Sequence, residues 1–161
     1  MLSRRGAQKI PSVQTNMVVD AEAASSLLRR VLGAMTAGSI QQKRSFLAGK
    51  LGERIASPLL TMRDDPFRKR ALGSRLWDGE GIATKERALI TQGVLDMFFV
   101  DTYYGRKLGW EPTTGSATNV LFDYGDYDLD GVLNAVGEGI YVNSWLGGNA
   151  DMTTGDYSFG V

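Results

Sequence analysis

Any chemistry in this 161-residue chain must be built without two versatile side chains, because it contains no His and no Cys. Their absence removes the commonest general base, the commonest zinc ligand, thiol catalysis and disulfides. Carboxylates remain. Asp78 with Glu80, and Asp151 with Asp156, stand in glycine-punctuated stretches where one carboxyl could serve as acid and the other as base. The same residues also form turns, because Asp bonds its own neighbouring backbone, and hydroxyls beside glycine (Thr113, Thr114, Ser116, Thr153 and Thr154) read the same way. Asp126-Tyr127-Asp128-Leu129-Asp130-Gly131 copies the opening of an EF-hand loop. Its twelfth position is Gly137 where that loop needs a bidentate Glu, and Glu138 comes one residue late. Asp128 as the cap of a following helix accounts for the same residues. Arg63, Arg68, Lys69, Arg70 and Arg75 make a local basic cluster, read as a solvated loop balanced by Asp64, Asp65, Asp78 and Glu80 rather than as a nucleic-acid patch.

The elements that would position these groups follow from periodicity. Arg87–Thr91 and Val94–Val100 flank Gln92-Gly93, which predicts a β-hairpin with glycine supplying the positive φ of a tight turn. The return strand is apolar on both faces, broken by Asp96, so it belongs in the middle of a packed domain. Before it, Met17–Val19 predicts a short strand. Asp20 caps a helix whose stripe is Ala24, Leu27, Leu28, Val31, Leu32 and Met35, with Gly38 as its stop. A second helix is predicted over Ser39–Leu51, then a strand over Ile55–Arg63 with Pro58 at an edge or bulge, and a turn at Asp64-Asp65-Pro66. After the hairpin come a helix from Asp101 or Thr102 to Gly109, a loop from Trp110 to Thr118 and a strand over Asn119–Phe122. A helix over Leu129–Val136 and a strand over Ile140–Trp145 follow, then a loop leading into a last strand from Asp156. Helices mixed with hairpins, without a regular strand-helix-strand repeat, predict an α+β domain with a largely antiparallel sheet and a few packed helices.

Residues 1–16, with Arg4, Arg5, Gly6, Lys9 and Pro11, read as a linker or arm, and residues 17–161 as one domain. With Lys+Arg 18 against Asp+Glu 18 the chain is neutral, so neither nucleic acid nor an anionic membrane is an expected partner. No apolar run reaches the roughly 18–20 residues of a membrane span, and no apolar region follows the basic start. A cytoplasmic location is the resulting expectation.

The blocks DGEGIATKERALITQGVLDMFFVDTYYGRKLG, TTGSATN and GIYVNSWLGGNADMTTGDYSFGV, in that order, resemble the carboxy-terminal domain of the TldD/PmbA family of bacterial and archaeal proteins. The likeness is to the PmbA (TldE) branch and runs from about Val18 to Val161. In that family the domain follows others in a longer chain, which implies that this chain, truncated at its C-terminal end, is a fragment or the product of a gene called short. The TldD branch comprises zinc metallopeptidases that hold the metal through an HExxxH helix and a later Cys. The PmbA branch is their partner and lacks those ligands. Laid against that pattern, HExxxH falls within Leu27–Gly33 (LLRRVLG), which holds neither His nor Glu, and the Cys would lie past Val161. The resemblance therefore implies a non-catalytic subunit without a cofactor of its own, zinc being held by the partner. It would belong to a cytoplasmic peptidase dimer, formed with a TldD-like subunit or with itself, that degrades unfolded or short peptides. The older family label is modulator of DNA gyrase. The glycine-rich segments, Asp78, Gly79 and Gly81 in one, Gly147, Gly148, Asn149, Thr154, Gly155 and Asp156 in the other, are the expected lining of the dimer seam or peptide channel, because glycine lets backbones approach closely. A stand-alone structural or peptide-binding domain is the alternative, and an independent carboxylate hydrolase a third reading.

Overall fold

The computed structural model describes residues 6, 8 and 11–161. Positions 1–5, 7, 9 and 10 of the expected arm lie outside the described residues, while 11–15 are exposed and join no strand or helix. Among the described residues there are eight strands and four helices. They form three sheets: a four-stranded antiparallel sheet, an antiparallel hairpin and a parallel two-stranded ribbon. The fold is thus α+β with mostly antiparallel pairing, as its sequence predicts.

The ribbon joins β1 (Asn16–Val19) to β6 (Gly139–Val142). Helix α1 (Ala21–Ala34) starts immediately after β1, and the Asp20 side chain accepts from the Glu22 N–H. The Tyr141 hydroxyl donates to the other Asp20 oxygen at 2.9 Å, so a single residue caps the helix and ties it to the ribbon. β6 ends earlier than Trp145 because its partner strand turns into α1: the Asp20 N–H donates to the Val142 carbonyl, and past that point no strand among the described residues lies alongside.

The second helix is much shorter than expected. α2 covers only Ala37–Gln41, capped by Thr36, whose hydroxyl accepts from the Ser39 N–H. Gly38 lies inside it and does not stop α1. Lys43 has φ 57°, which an α-helix does not accommodate, and the Ser45 hydroxyl spends itself on the Ala34 carbonyl. Phe46 and Leu47 reach the core through turns, while Leu51 stays exposed.

The predicted strand over Ile55–Arg63 is replaced by a loop and a three-residue strand, β2 (Met62–Asp64). The loop clasps the hairpin turn. Ile55 and Ala56 N–H groups donate to the Gly93 carbonyl, and the Gly93 N–H donates to Leu60 O. With its backbone groups satisfied there, the segment has no use for a ladder.

The hairpin is β3 (Arg87–Thr91) and β4 (Val94–Leu95), turned by Gln92 and Gly93 at φ 48° and 81°. The return strand leaves the ladder after Leu95. Its Phe99 instead exchanges backbone bonds with Met35 and Ala37 at the α1–α2 junction. Phe98, Phe99 and Val100 are buried, so the residues are covered on both sides although the strand is short. Helix α3 (Thr102–Leu108), capped by Asp101 and closed by left-handed Gly109, and strand β5 (Val120–Phe122) follow expectation. β5 completes the sheet order β4-β3-β2-β5. The core lies between this sheet and the α1–α2 junction, around Met35, Leu47, Met62, Leu89, Ile90, Leu95 and Phe99, each fully buried and worth about 1.5–3 kcal/mol.

Helix α4 (Leu129–Val136) is capped by Asp128, which accepts from the Gly131 N–H. The glycine-rich stretch expected as a loop is a strand. β7 (Gly147–Asp151) pairs residue by residue with β8 (Asp156–Gly160).

Candidate functional site

The two glycine-rich segments lie on different parts of the fold. The first, Asp78–Gly81, turns back on itself. Asp78 Oδ1 accepts from the Glu80 and Ile82 N–H groups, and Oδ2 from Gly115 at 3.4 Å. Burial pushes the Asp78 carboxyl up, but these amides and the Arg75 charge outweigh it and hold the group below its ordinary value. Glu80 points elsewhere. Its two oxygens take the N–H and the hydroxyl of Thr102, at 2.9 and 2.8 Å, at the start of α3. Asp78, Gly79, Glu80, Arg75, Asp101 and Gly115 line a shallow polar cavity of about 420 Å³. Gly81 is at φ 80°, whereas a Cβ on Gly79 would meet nothing within 4 Å.

The second segment is the β7–β8 hairpin and its turn. Register places Asp151 and Asp156 directly across from each other, a juxtaposition that the sequence does not announce. Both are occupied. Asp151 Oδ1 accepts from the Thr153 N–H and, more weakly, Thr154, and the first of these chiefly lowers its carboxyl pKa. Asp156 accepts from the Thr154 hydroxyl at 2.7 Å. Asn149 Oδ1 accepts from the next amide, Ala150. Gly148 does need to be glycine: a Cβ there would fall 2.3 Å from the Phe159 ring. Gly155 is at φ 85°, and a Cβ there would fall 3.1 Å from the Phe46 ring. Gly147 is open. No hydrogen bond or ion pair among the described residues links this hairpin to Asp78–Gly81. The first segment leans on α3 and the 110–118 loop, the second on Phe46 through its bond to Met152 O.

Between the hairpin, α1 and the ribbon lies an apolar cavity of about 630 Å³, with Leu27, Leu28, Val31, Ile140, Trp145 and Phe159 in its walls. Trp145 is fixed by its Nε1–H bond to Ala23 O and by the Phe159 ring at 4.9 Å. The Arg30 guanidinium lies over the Phe159 ring, 5.3 Å from its centroid. Zinc does not fit here. The LLRRVLG segment turns Leu27, Leu28 and Val31 into the cavity, and these side chains hold no donor atom.

The interaction that sequence reading missed is buried in the sheet. Asp64, read as a turn anion balancing surface arginines, is fully buried on β2. Its Oδ2 faces Arg87 Nη2 at 3.3 Å, and its Oδ1 accepts from the Thr118 N–H and hydroxyl at 2.7 and 2.6 Å. Arg87 also donates to Thr114 and lies over Phe99. Arg75 donates to Ser116 and Ala117 carbonyls. Two arginines and one carboxylate therefore shape the 113–118 loop that borders the polar cavity. Of the remaining basic cluster, Arg63 pairs with Asp123 at 3.0 Å, and Arg68, Lys69 and Arg70 stand exposed.

Residues 12–161 match the family model described as the PmbA/TldA metallopeptidase C-terminal domain. The Metalloprotease PmbA of Escherichia coli O157:H7 is 30% identical over 99% of this chain and 36% of its own length. A Metalloprotease of Methanothermobacter thermautotrophicus is 33% identical over 92% of this chain and 35% of its own. Among solved structures, a Bacteroides thetaiotaomicron protein described as a modulator of DNA gyrase superposes with a TM-score of 0.94 at 41% identity, covering 98% of this chain and 36% of the other. TldE from Thermococcus kodakarensis superposes with a TM-score of 0.75 at 25% identity over 89% and 38%. The chain thus spans about a third of the length of these relatives.

Proposed function

The chain belongs to the PmbA/TldD metallopeptidase family, as its C-terminal domain, and on that premise we propose that it works as the TldE-like, zinc-free member of a peptidase assembly. In that role it contributes assembly and the walls of the substrate channel, while zinc and the hydrolytic step reside in a TldD-like partner. The observation that carries the reading is the face of α1. The segment aligned with HExxxH presents Leu27, Leu28 and Val31 to an apolar cavity and supplies neither a metal ligand nor a general base. The engaged carboxylates support the same reading, since Asp78 and Glu80 spend both oxygens, and Asp151 and Asp156 one each, on turns, a loop or a helix start.

Substrate would be an unfolded or short peptide, held chiefly through main-chain bonds with little sequence preference. The glycine-rich segments Asp78–Gly81 and Gly147–Asn149, with the turn Thr154–Asp156, are proposed to face the seam or the channel. A cytoplasmic location belongs to the same proposal. The test is peptide degradation by an HExxxH-bearing relative from the same organism, with zinc, in the presence and absence of this chain. Raised turnover with co-elution supports the subunit reading. Unchanged turnover without co-elution overturns it in favour of a stand-alone structural or peptide-binding domain.

A further inference from the structure

The 113–118 loop is held from inside the fold. Thr113 Oγ1 accepts from the Val100 N–H at 3.0 Å and donates to Phe98 O. Thr114, fully buried, accepts from Arg87 and passes its own hydroxyl hydrogen to Ser116 O at 3.2 Å. Arg75 Nη2 donates to the Ser116 and Ala117 carbonyls, and Thr118 is fastened to Asp64 through its N–H and hydroxyl. Gly115, between the points that the two arginines hold, donates its N–H to Asp78 Oδ2 at 3.4 Å. The carboxylate that receives it already holds the Glu80 and Ile82 amides with its other oxygen, and Glu80 goes on to both donors of Thr102. A continuous chain of bonds thus runs from the buried Asp64–Arg87 pair, through Thr114 and Gly115, to the Asp78–Gly81 turn and the start of α3.

Stability alone does not account for an arginine at position 87. A buried ion pair gains little over apolar residues of similar volume, and Arg87 Nη1 is buried with no protein acceptor among the described residues, which adds to the cost. What the guanidinium supplies is a rigid fork. Its Nε and Nη2 donate to Asp64 Oδ2 at 3.4 and 3.3 Å, Nη2 also reaches Thr114, and the group lies over the Phe99 ring. An ammonium on a flexible stem does not hold those directions together.

We propose that Arg87 is the positioning residue of the Asp78–Gly81 segment: by fixing Thr114 it sets where the Gly115 N–H stands, and through that amide it fixes the turn folded around Asp78. Every group in this chain of bonds is engaged within the chain itself, so the arrangement does not depend on what covers the surface. The inference rests on the reading of Asp78–Gly81 as part of the seam or channel, and names the residue that gives that segment its shape.

Amide hydrogen exchange at Glu80, Ile82 and Gly115 reads the turn directly. Thr114→Val keeps the side chain's volume and leaves the Asp64–Arg87 pair in place, but removes the hydroxyl. Arg87→Lys keeps the charge and loses the fork. Each is expected to speed exchange at the three amides by about tenfold, the scale of one hydrogen bond. Burial raises the Asp78 carboxyl while these amides and Arg75 hold it down, so in both variants it should titrate nearer its ordinary value by carbon-detected NMR. Leu47→Ala is the control, a fully buried core position outside this chain of bonds. It lowers overall stability and is expected to leave the three amides as in the wild type. Wild-type exchange in either test variant overturns the proposal, and so does equal acceleration in Leu47→Ala, which would make the effect one of overall stability. If Arg87→Lys does not fold, Thr114→Val still decides. If the turn loosens while the variant raises the peptide turnover of an HExxxH-bearing relative as fully as the wild type does, the positioning stands and Asp78–Gly81 leaves the seam or channel.

Discussion

Asp64 Oδ2 and Arg87 Nη2 meet at 3.3 Å between neighbouring strands, with side chains 0% and 8% exposed, so the sheet carries an ion pair in its interior. Removing one partner leaves the other charged and dry. Asp64→Ala or Arg87→Ala is expected to cost about 3–5 kcal/mol. The double variant D64L/R87M should lose markedly less than the sum of the singles, because no charge remains buried. Urea unfolding of the four proteins checks this, and additive losses would show that the pair does not act as a unit.

Gly93 and Gly79 look alike in sequence and should behave differently. Gly93 sits at φ 81° with Ala56 O only 2.3 Å from where a Cβ would be, whereas Gly79 faces open space. Gly93→Ala is expected to cost about 2 kcal/mol or more, and Gly79→Ala to stay within about 0.5 kcal/mol. Equal melting temperatures for the two variants would contradict the clasped turn.

Glu80 acts on α3 across 22 residues of sequence, through both Thr102 donors. Glu80→Ala should weaken the helix start by about 1 kcal/mol, the size of a lost cap, and Glu80→Gln by less. Amide exchange at Thr102 reads the effect directly, and unchanged protection in Glu80→Ala would refute it.

The Tyr141–Asp20 bond makes stability fall in alkali. The Asp20 carboxylate accepting its hydrogen bond raises the Tyr141 phenol above the ordinary tyrosine value. A raised group stabilises the fold below the unfolded pKa, near 10, and that stability is lost as pH rises through the folded one. Wild type should therefore lose stability more steeply than Tyr141→Phe above about pH 10. Identical slopes in denaturation at a series of alkaline pH values would rule this out.

Gly147 separates interface from folding. Gly148 is packed against Phe159, so a bulky residue there disrupts the hairpin, but Gly147 is open. Gly147→Leu should keep the wild-type melting temperature. If the hairpin lines the seam or channel, it should lower partner-dependent peptide turnover several-fold. Full turnover would take Gly147 out of the site.

Local signals were legible where the chain decides them alone. Asp20, Asp101 and Asp128 cap the helices expected of them, Gln92-Gly93 turns the predicted hairpin, and Gly109 ends α3, because each depends on side chains and dihedrals within a few residues. The absence of His and Cys likewise follows from composition alone. Tertiary structure decided whatever depends on a distant partner. Leu47 enters the core from a turn rather than a helix because Ser45 reaches Ala34, and Ile55–Leu60 abandons a ladder to clasp Gly93. Gly147–Asp151 becomes a strand because β8 lies beside it, and Asp64 is drawn from the surface by Arg87 and Thr118, 23 and 54 residues away. Hydrogen-bond partners that far apart are brought together only by the fold, so neither composition nor periodicity carries their signal.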